Sequence, residues 1–121
     1  MKRSQIIKRV TYWQNKMGLT NWDIEISFDK VPVKRRDEWG RGIASVDTNT
    51  TYKFATIRFY PEEVWAVEDS TIIHELLHCL LSPLVGMMQA NFKSEKKRKD
   101  WLDYFHEQTI SELERIICRM K

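Results

Sequence analysis

From Ser4 to Met17 the apolar side chains Ile6, Ile7, Val10, Trp13 and Met17 recur at steps of three and four residues. That spacing lines one side of a helix, with Ser4 in place to cap it and Gly18 to stop it. The period then changes. Across Trp22-Asp23-Ile24-Glu25-Ile26-Ser27-Phe28-Asp29 apolar and polar residues alternate, which predicts a strand with one buried and one wet face. Residues 30–41 hold Pro32, a charge cluster and Gly40, and together they predict a loop. A second strand is expected over residues 42–47 and a turn over Asp47-Thr48-Asn49-Thr50. A third strand, from Tyr52 to Tyr60, carries Ala55, Ile57 and Phe59 on one face and should pair with the second as a hairpin.

Pro61 suits the first position of a helical turn. Helical character is strongest from Glu68 to Leu81, and Pro83 predicts a stop or a kink at Ser82. Leu84 to Asn91 reads as a further helical turn or as a loop interrupted by Gly86. A last helix is expected from Phe92 to Met120, with Leu102, Phe105, Thr109, Ile110, Leu113, Ile116, Ile117 and Met120 as its apolar stripe. The order helix, three strands, then two or three helices is that of an α+β domain.

At 121 residues the chain fits one domain, residues 1–121, with a single core. Its 42% hydrophobic and 31% charged residues exclude a disordered chain. The net charge of +3 is only mildly basic, although Lys34-Arg35-Arg36 and Lys96-Lys97-Arg98-Lys99 concentrate positive charge. A dedicated nucleic-acid binder carries a stronger bias, so nucleic acid is a weakly supported partner and solvated surface the expectation for both clusters. Cys79 and Cys118 do not make a disulfide framework, and Cys79 is expected as a small buried apolar residue. No apolar run of signal-peptide length follows Met1-Lys2-Arg3-Ser4-Gln5, and no stretch approaches the ~20 apolar residues that span a bilayer. The expectation is a cytoplasmic protein with no membrane role.

The chemistry concentrates in His74-Glu75-Leu76-Leu77-His78. Histidines four apart on a helix stand one turn apart on the same side, so two imidazoles can converge on one ion. Zinc accepts neutral imidazole nitrogens, and a catalytic zinc takes three protein ligands and leaves a position open. Glu75 lies about 100° round the helix from His74. From there it can reach the water that the metal activates, as a general base, without binding the metal itself. Ile73, Leu76, Leu77, Leu80 and Leu84 form the buried stripe, which sets both histidines off its centre, towards a cleft wall.

A third ligand is required. The chain has three histidines, and His106 is the one outside the motif. On the last helix it falls within the apolar stripe beside Ile110, Leu113 and Ile117, and it is the candidate ligand. Glu107, projected towards the wet side, and Asp103 are the alternatives. Second-layer partners for the histidines are expected among Asp103, Glu107 and Ser111, and a group to polarise a substrate carbonyl at Tyr104 or Tyr60.

With these residues the chain resembles the zincin class of metallopeptidases in its smallest form. In plan it looks most like compact phage and bacterial H-E-x-x-H proteins, namely SprT-like, ImmA/IrrE-like and minimal gluzincin domains. The likeness spans nearly the whole chain as a layout: N-terminal helix, three-stranded sheet, H-E-x-x-H helix, ligand-bearing C-terminal helix. In residues it rests on His74-Glu75-Leu76-Leu77-His78, on His106-Glu107 and on Trp22-Asp23-Ile24. The resemblance implies a zinc peptidase acting on peptide or protein substrates, with His74 and His78 as zinc ligands and Glu75 as base. Gluzincins place a glutamate at the third position; an inward His106 is closer to the three-histidine arrangement of SprT-like proteins. The resemblance also implies that Tyr52 to Tyr60 offers an edge to which extended substrate can pair. Two other functions compete: a zinc-stabilised regulatory module that cleaves little, and a DNA-associated protease.

Overall fold

The computed structural model describes residues 1–29, 43–91 and 93–120, apart from the side chains of Gln89, Leu102, Asp103 and Phe105. The expected loop over residues 30–41, with its cluster Lys34-Arg35-Arg36, lies outside the described residues.

Helix α1 spans Arg3–Lys16 and buries Ile6, Val10 and Trp13. Ser4 lies inside it and does not cap it; the Gln5 Oε1 instead accepts the Lys2 N–H at 3.0 Å. Gly18 ends the helix at φ 72°, a left-handed conformation that glycine adopts without a Cβ penalty. Gln14 then donates through Nε2 to the carbonyls of Leu19 and Trp22, at 3.0 and 2.8 Å, and so ties the turn to the first strand.

The strands are β1 (Asp23–Ser27), β2 (Ala44–Asn49) and β3 (Phe54–Phe59), in the order β1-β3-β2. The hairpin of β2 and β3 is antiparallel, as the sequence predicts, while β1 joins the other side of β3 in parallel. Strand β3 is therefore central, and the expectation that Tyr52 to Tyr60 forms an edge is corrected. Burial follows position: Ala55, Ile57 and Phe59 are fully buried, whereas the second half of β2 is exposed. The hairpin turn falls after Asn49, later than the sequence suggests. There the Asn49 Oδ1 accepts the Tyr52 N–H at 3.2 Å, and Lys53 takes the left-handed φ of 51°. The opposite face of the sheet is polar, with Arg58 paired to Asp47 across the hairpin.

Pro61 opens a 3₁₀ turn, Pro61–Ala66, which leads into helix α2, Asp69–Gln89. The helix does not stop at Ser82. Proline at position 83 has no N–H to give to the carbonyl of Cys79, four residues back. The Ser82 hydroxyl donates to that carbonyl at 2.9 Å and also accepts from Thr50 Oγ1 at 3.1 Å, at the end of β2. The helix therefore continues for two further turns. Ser82→Ala strands the Cys79 carbonyl in a buried setting and should cost about 1–2 kcal/mol of stability, read from urea unfolding of the metal-free protein.

By length and composition Asp69–Met88 is apolar enough to cross a membrane, with mean hydropathy 1.4, contrary to the expectation that no stretch approaches that threshold. Its inner face is a core face: Ile72, Ile73, Leu76 and Leu77 pack with Ile6, Val10 and Trp13 of α1, the inward residues of β3, and Ile110.

The long terminal helix is expected as one piece and is built in three. Helix α3, Glu95–Asp100, starts at Ser94, whose hydroxyl accepts the Lys97 N–H at 3.2 Å. A π-helical segment follows over Trp101–His106, and helix α4 runs over Glu107–Arg119. Within α4, Ile110 is buried and Leu113 and Ile117 partly so, while Ile116, and Met120 just after the helix, are exposed. The architecture is a two-layer α+β domain, with α4 packed along α2 and α2 lying beside β2.

Candidate metal centre

Helix α2 sets the His74 and His78 rings one turn apart, with centroids at 5.2 Å. The first residue of α4 supplies a carboxylate that reaches both. The Glu107 Oε2 is 3.3 Å from His74 Nε2, and its Oε1 is 3.3 Å from His78 Nε2. One donor atom from each of the three residues lies within 4.8 Å of the others, a grouping that could hold a metal ion. Two imidazole nitrogens and a carboxylate oxygen suit a divalent transition metal, zinc among them.

The ring nitrogens that face away are also engaged. His74 Nδ1 is 2.9 Å from Glu114 Oε2, and His78 Nδ1 is 3.1 Å from His106 Nε2. Trp101 stacks on His106, with centroids at 5.6 Å and planes 12° apart. The inward position expected of His106 is therefore found. It stands on the Nδ1 side of His78, however, and the described residues that converge on one point are His74, His78 and Glu107. Asp103 lies outside the side chains described. Tyr60 is buried and Tyr104 exposed.

The placement of Glu107 follows from the helix. Relative to Ile110, His106 is about 40° away and Glu107 about 60°, on opposite sides of the buried stripe. Glu107 thus sits on a flank that borders the wet face, as projected, and its side chain stays 48% exposed. That is where a metal centre shared by two packed helices has to lie, since His74 and His78 flank their own stripe in the same way. Glu114 was not among the expected second-layer partners, yet it is readable: seven residues after Glu107, it returns to within about 20° of the same direction.

Glu75 is only 6% exposed. Its helical arc is shared with Cys79 and Ser82, and Ser82 meets Thr50 at the end of β2. Burial raises its carboxyl above the ordinary range, against the pull of His78 and His74. Burial likewise pushes the Cys79 thiol up to about 12, so it stays protonated, in keeping with an inert core residue. His106 is lowered by burial, with His78 adding to the effect.

The hydrogen bond that His74 donates to the Glu107 carboxylate pushes His74 up to about 9, with Glu114 contributing less. The same contact holds the Glu107 carboxyl well below the carboxylate range. It is one interaction and counts once. A histidine whose folded pKa exceeds its unfolded one stabilises the fold fully below about 6.5, and that contribution is lost as pH rises through 9. Metal-free protein should therefore lose on the order of 2–3 kcal/mol between pH 6 and pH 10, while bound metal, which displaces the proton, flattens the profile. Urea titrations with and without zinc across that range read the difference; parallel profiles would contradict it.

No family model, curated protein or solved structure matches the chain.

Proposed function

We propose that this protein is a zinc-dependent peptidase in which His74, His78 and Glu107 hold the metal and Glu75 is the general base. The observation that carries the reading is a buried glutamate beside a metal-binding group that would need no such residue if it were purely structural. Two neutral imidazoles and one carboxylate leave a zinc centre with net positive charge and room for a further ligand. Zinc bound there supplies a Lewis acid that acidifies a water and polarises the scissile carbonyl.

Glu75 takes the proton of the attacking water. Its raised pKa brings proton uptake and release closer to neutral pH, which suits a group that must then hand the proton to the leaving amine. His106 and Glu114 hold the ligand rings from behind. Substrate is an extended peptide or protein segment paired to the outer edge of β2, which among the described residues pairs only with β3. That edge replaces the β3 edge suggested by the zincin resemblance, and it runs beside α2, as the chemistry requires. A carboxylate as third donor agrees with the minimal gluzincin pattern more closely than with the three-histidine one.

The experiment is turnover of a peptide library by zinc-loaded protein, compared with metal-stripped protein and with Glu75→Gln. Cleavage confined to the zinc-loaded wild type supports the proposal. Equal cleavage by Glu75→Gln, or none by any form, defeats it.

A further inference from the structure

The two ligand histidines are backed by different chemistry. Behind His74 stands the Glu114 carboxylate at 2.9 Å, whereas behind His78 stands an imidazole, His106 Nε2, at 3.1 Å. Metal ligation through Nε2 fixes what each Nδ1 does. A neutral imidazole that gives its Nε2 lone pair to a metal carries its proton on Nδ1 and donates from there. A carboxylate accepts such a bond without conditions. An imidazole accepts it only through a nitrogen that bears no proton.

We propose that His106 is a positioning residue for the metal centre: its unprotonated Nε2 accepts from His78 Nδ1–H and fixes the angle of that ring towards the metal. This rests on the reading of His74, His78 and Glu107 as ligands. Two features of the structure prepare His106 for the task. It is 8% exposed, so water does not compete for the Nε2 lone pair, and the parallel face of Trp101 restrains rotation of the ring. The proton of His106 then resides on Nδ1. The π-helical turn that ends at His106 delivers both residues together, setting the positioning imidazole and the ligand Glu107 side by side at the head of α4. Removing a group of this kind weakens metal binding by 10- to 100-fold, typically, while the ligands themselves stay the same.

The test measures zinc affinity by competition with a chromophoric chelator in the full-length protein, for wild type, His106→Phe, His106→Gln and Glu107→Gln. X-ray absorption at the zinc edge counts the imidazoles bound. His106→Phe is expected to lose about 10- to 100-fold in affinity, and His106→Gln, whose amide oxygen can accept the same bond, to regain most of it. The count should be two imidazoles in wild type and in both His106 variants. Three imidazoles in wild type, falling to two in the variants, would make His106 a ligand and overturn the proposal. So would wild-type affinity in His106→Phe, which would leave His106 only a packing role. Nitrogen-15 NMR of the zinc-loaded wild type gives a reading that does not depend on a variant folding: the His106 proton should lie on Nδ1, and a proton on Nε2 contradicts the assignment. If Glu107→Gln binds zinc as tightly as wild type, the metal centre as drawn is what fails, and the outcome at His106 is then read separately from the imidazole count.

Discussion

Glu107→Ala is expected to weaken zinc binding by more than about 100-fold, a larger loss than removal of any second-layer partner produces. The glutamate is the one anionic donor in the group and the one that joins α4 to the two histidines of α2. Without it the remaining pair of imidazoles sits on a single helix, and no charged donor closes the site. The metal-free protein should report the same change differently. With the principal hydrogen bond to His74 gone, its pKa should drop back from about 9 and the alkaline loss of stability should shrink with it. A cooperative urea transition retained at low pH separates loss of a ligand from general damage, because an unfolded His74 would also titrate near the ordinary histidine value. Retention of affinity within a few-fold would remove Glu107 from the ligand set and restore His106 or another residue as candidate.

Much of this site is written in local spacing. His74, Glu75 and His78 need only a helical period to fall where they do, and alternation alone predicts that Ala55, Ile57 and Phe59 face the core. The third donor is harder to read because two adjacent residues, His106 and Glu107, straddle one apolar stripe. Scarcity of histidine favours the first; the shared-flank geometry of two packed helices favours the second. That geometry becomes visible only when α2 and α4 are set side by side. The π-helical turn over Trp101–His106 has no signature in a hydrophobic pattern, and neither does the parallel pairing of β1 with β3, which brings together residues far apart in sequence. Pro83 shows a local rule overridden by one neighbour: the hydroxyl of Ser82 takes up the carbonyl that proline leaves without a partner, and the helix passes through.

Glu75→Gln should abolish most peptide hydrolysis, lowering kcat by about 10²–10⁴-fold, while zinc affinity stays within a few-fold of wild type. Glutamine keeps the volume and a hydrogen-bonding oxygen but cannot take a proton from water. Zinc affinity is spared because Glu75 lies outside the group that converges on the metal. Stability provides the counterpart. A carboxyl whose pKa is raised by burial destabilises the fold increasingly as pH climbs from the ordinary carboxylate range up to that raised value, since the unfolded chain ionises there and the buried group does not. Near neutral pH, metal-free Glu75→Gln should therefore unfold at the same or a higher urea concentration than wild type. Activity lost together with stability held or gained is the pattern of a residue kept for chemistry at the expense of the fold. Activity and stability lost together would mark Glu75 as a structural member of the core, and the buried carboxylate would then need an explanation other than catalysis.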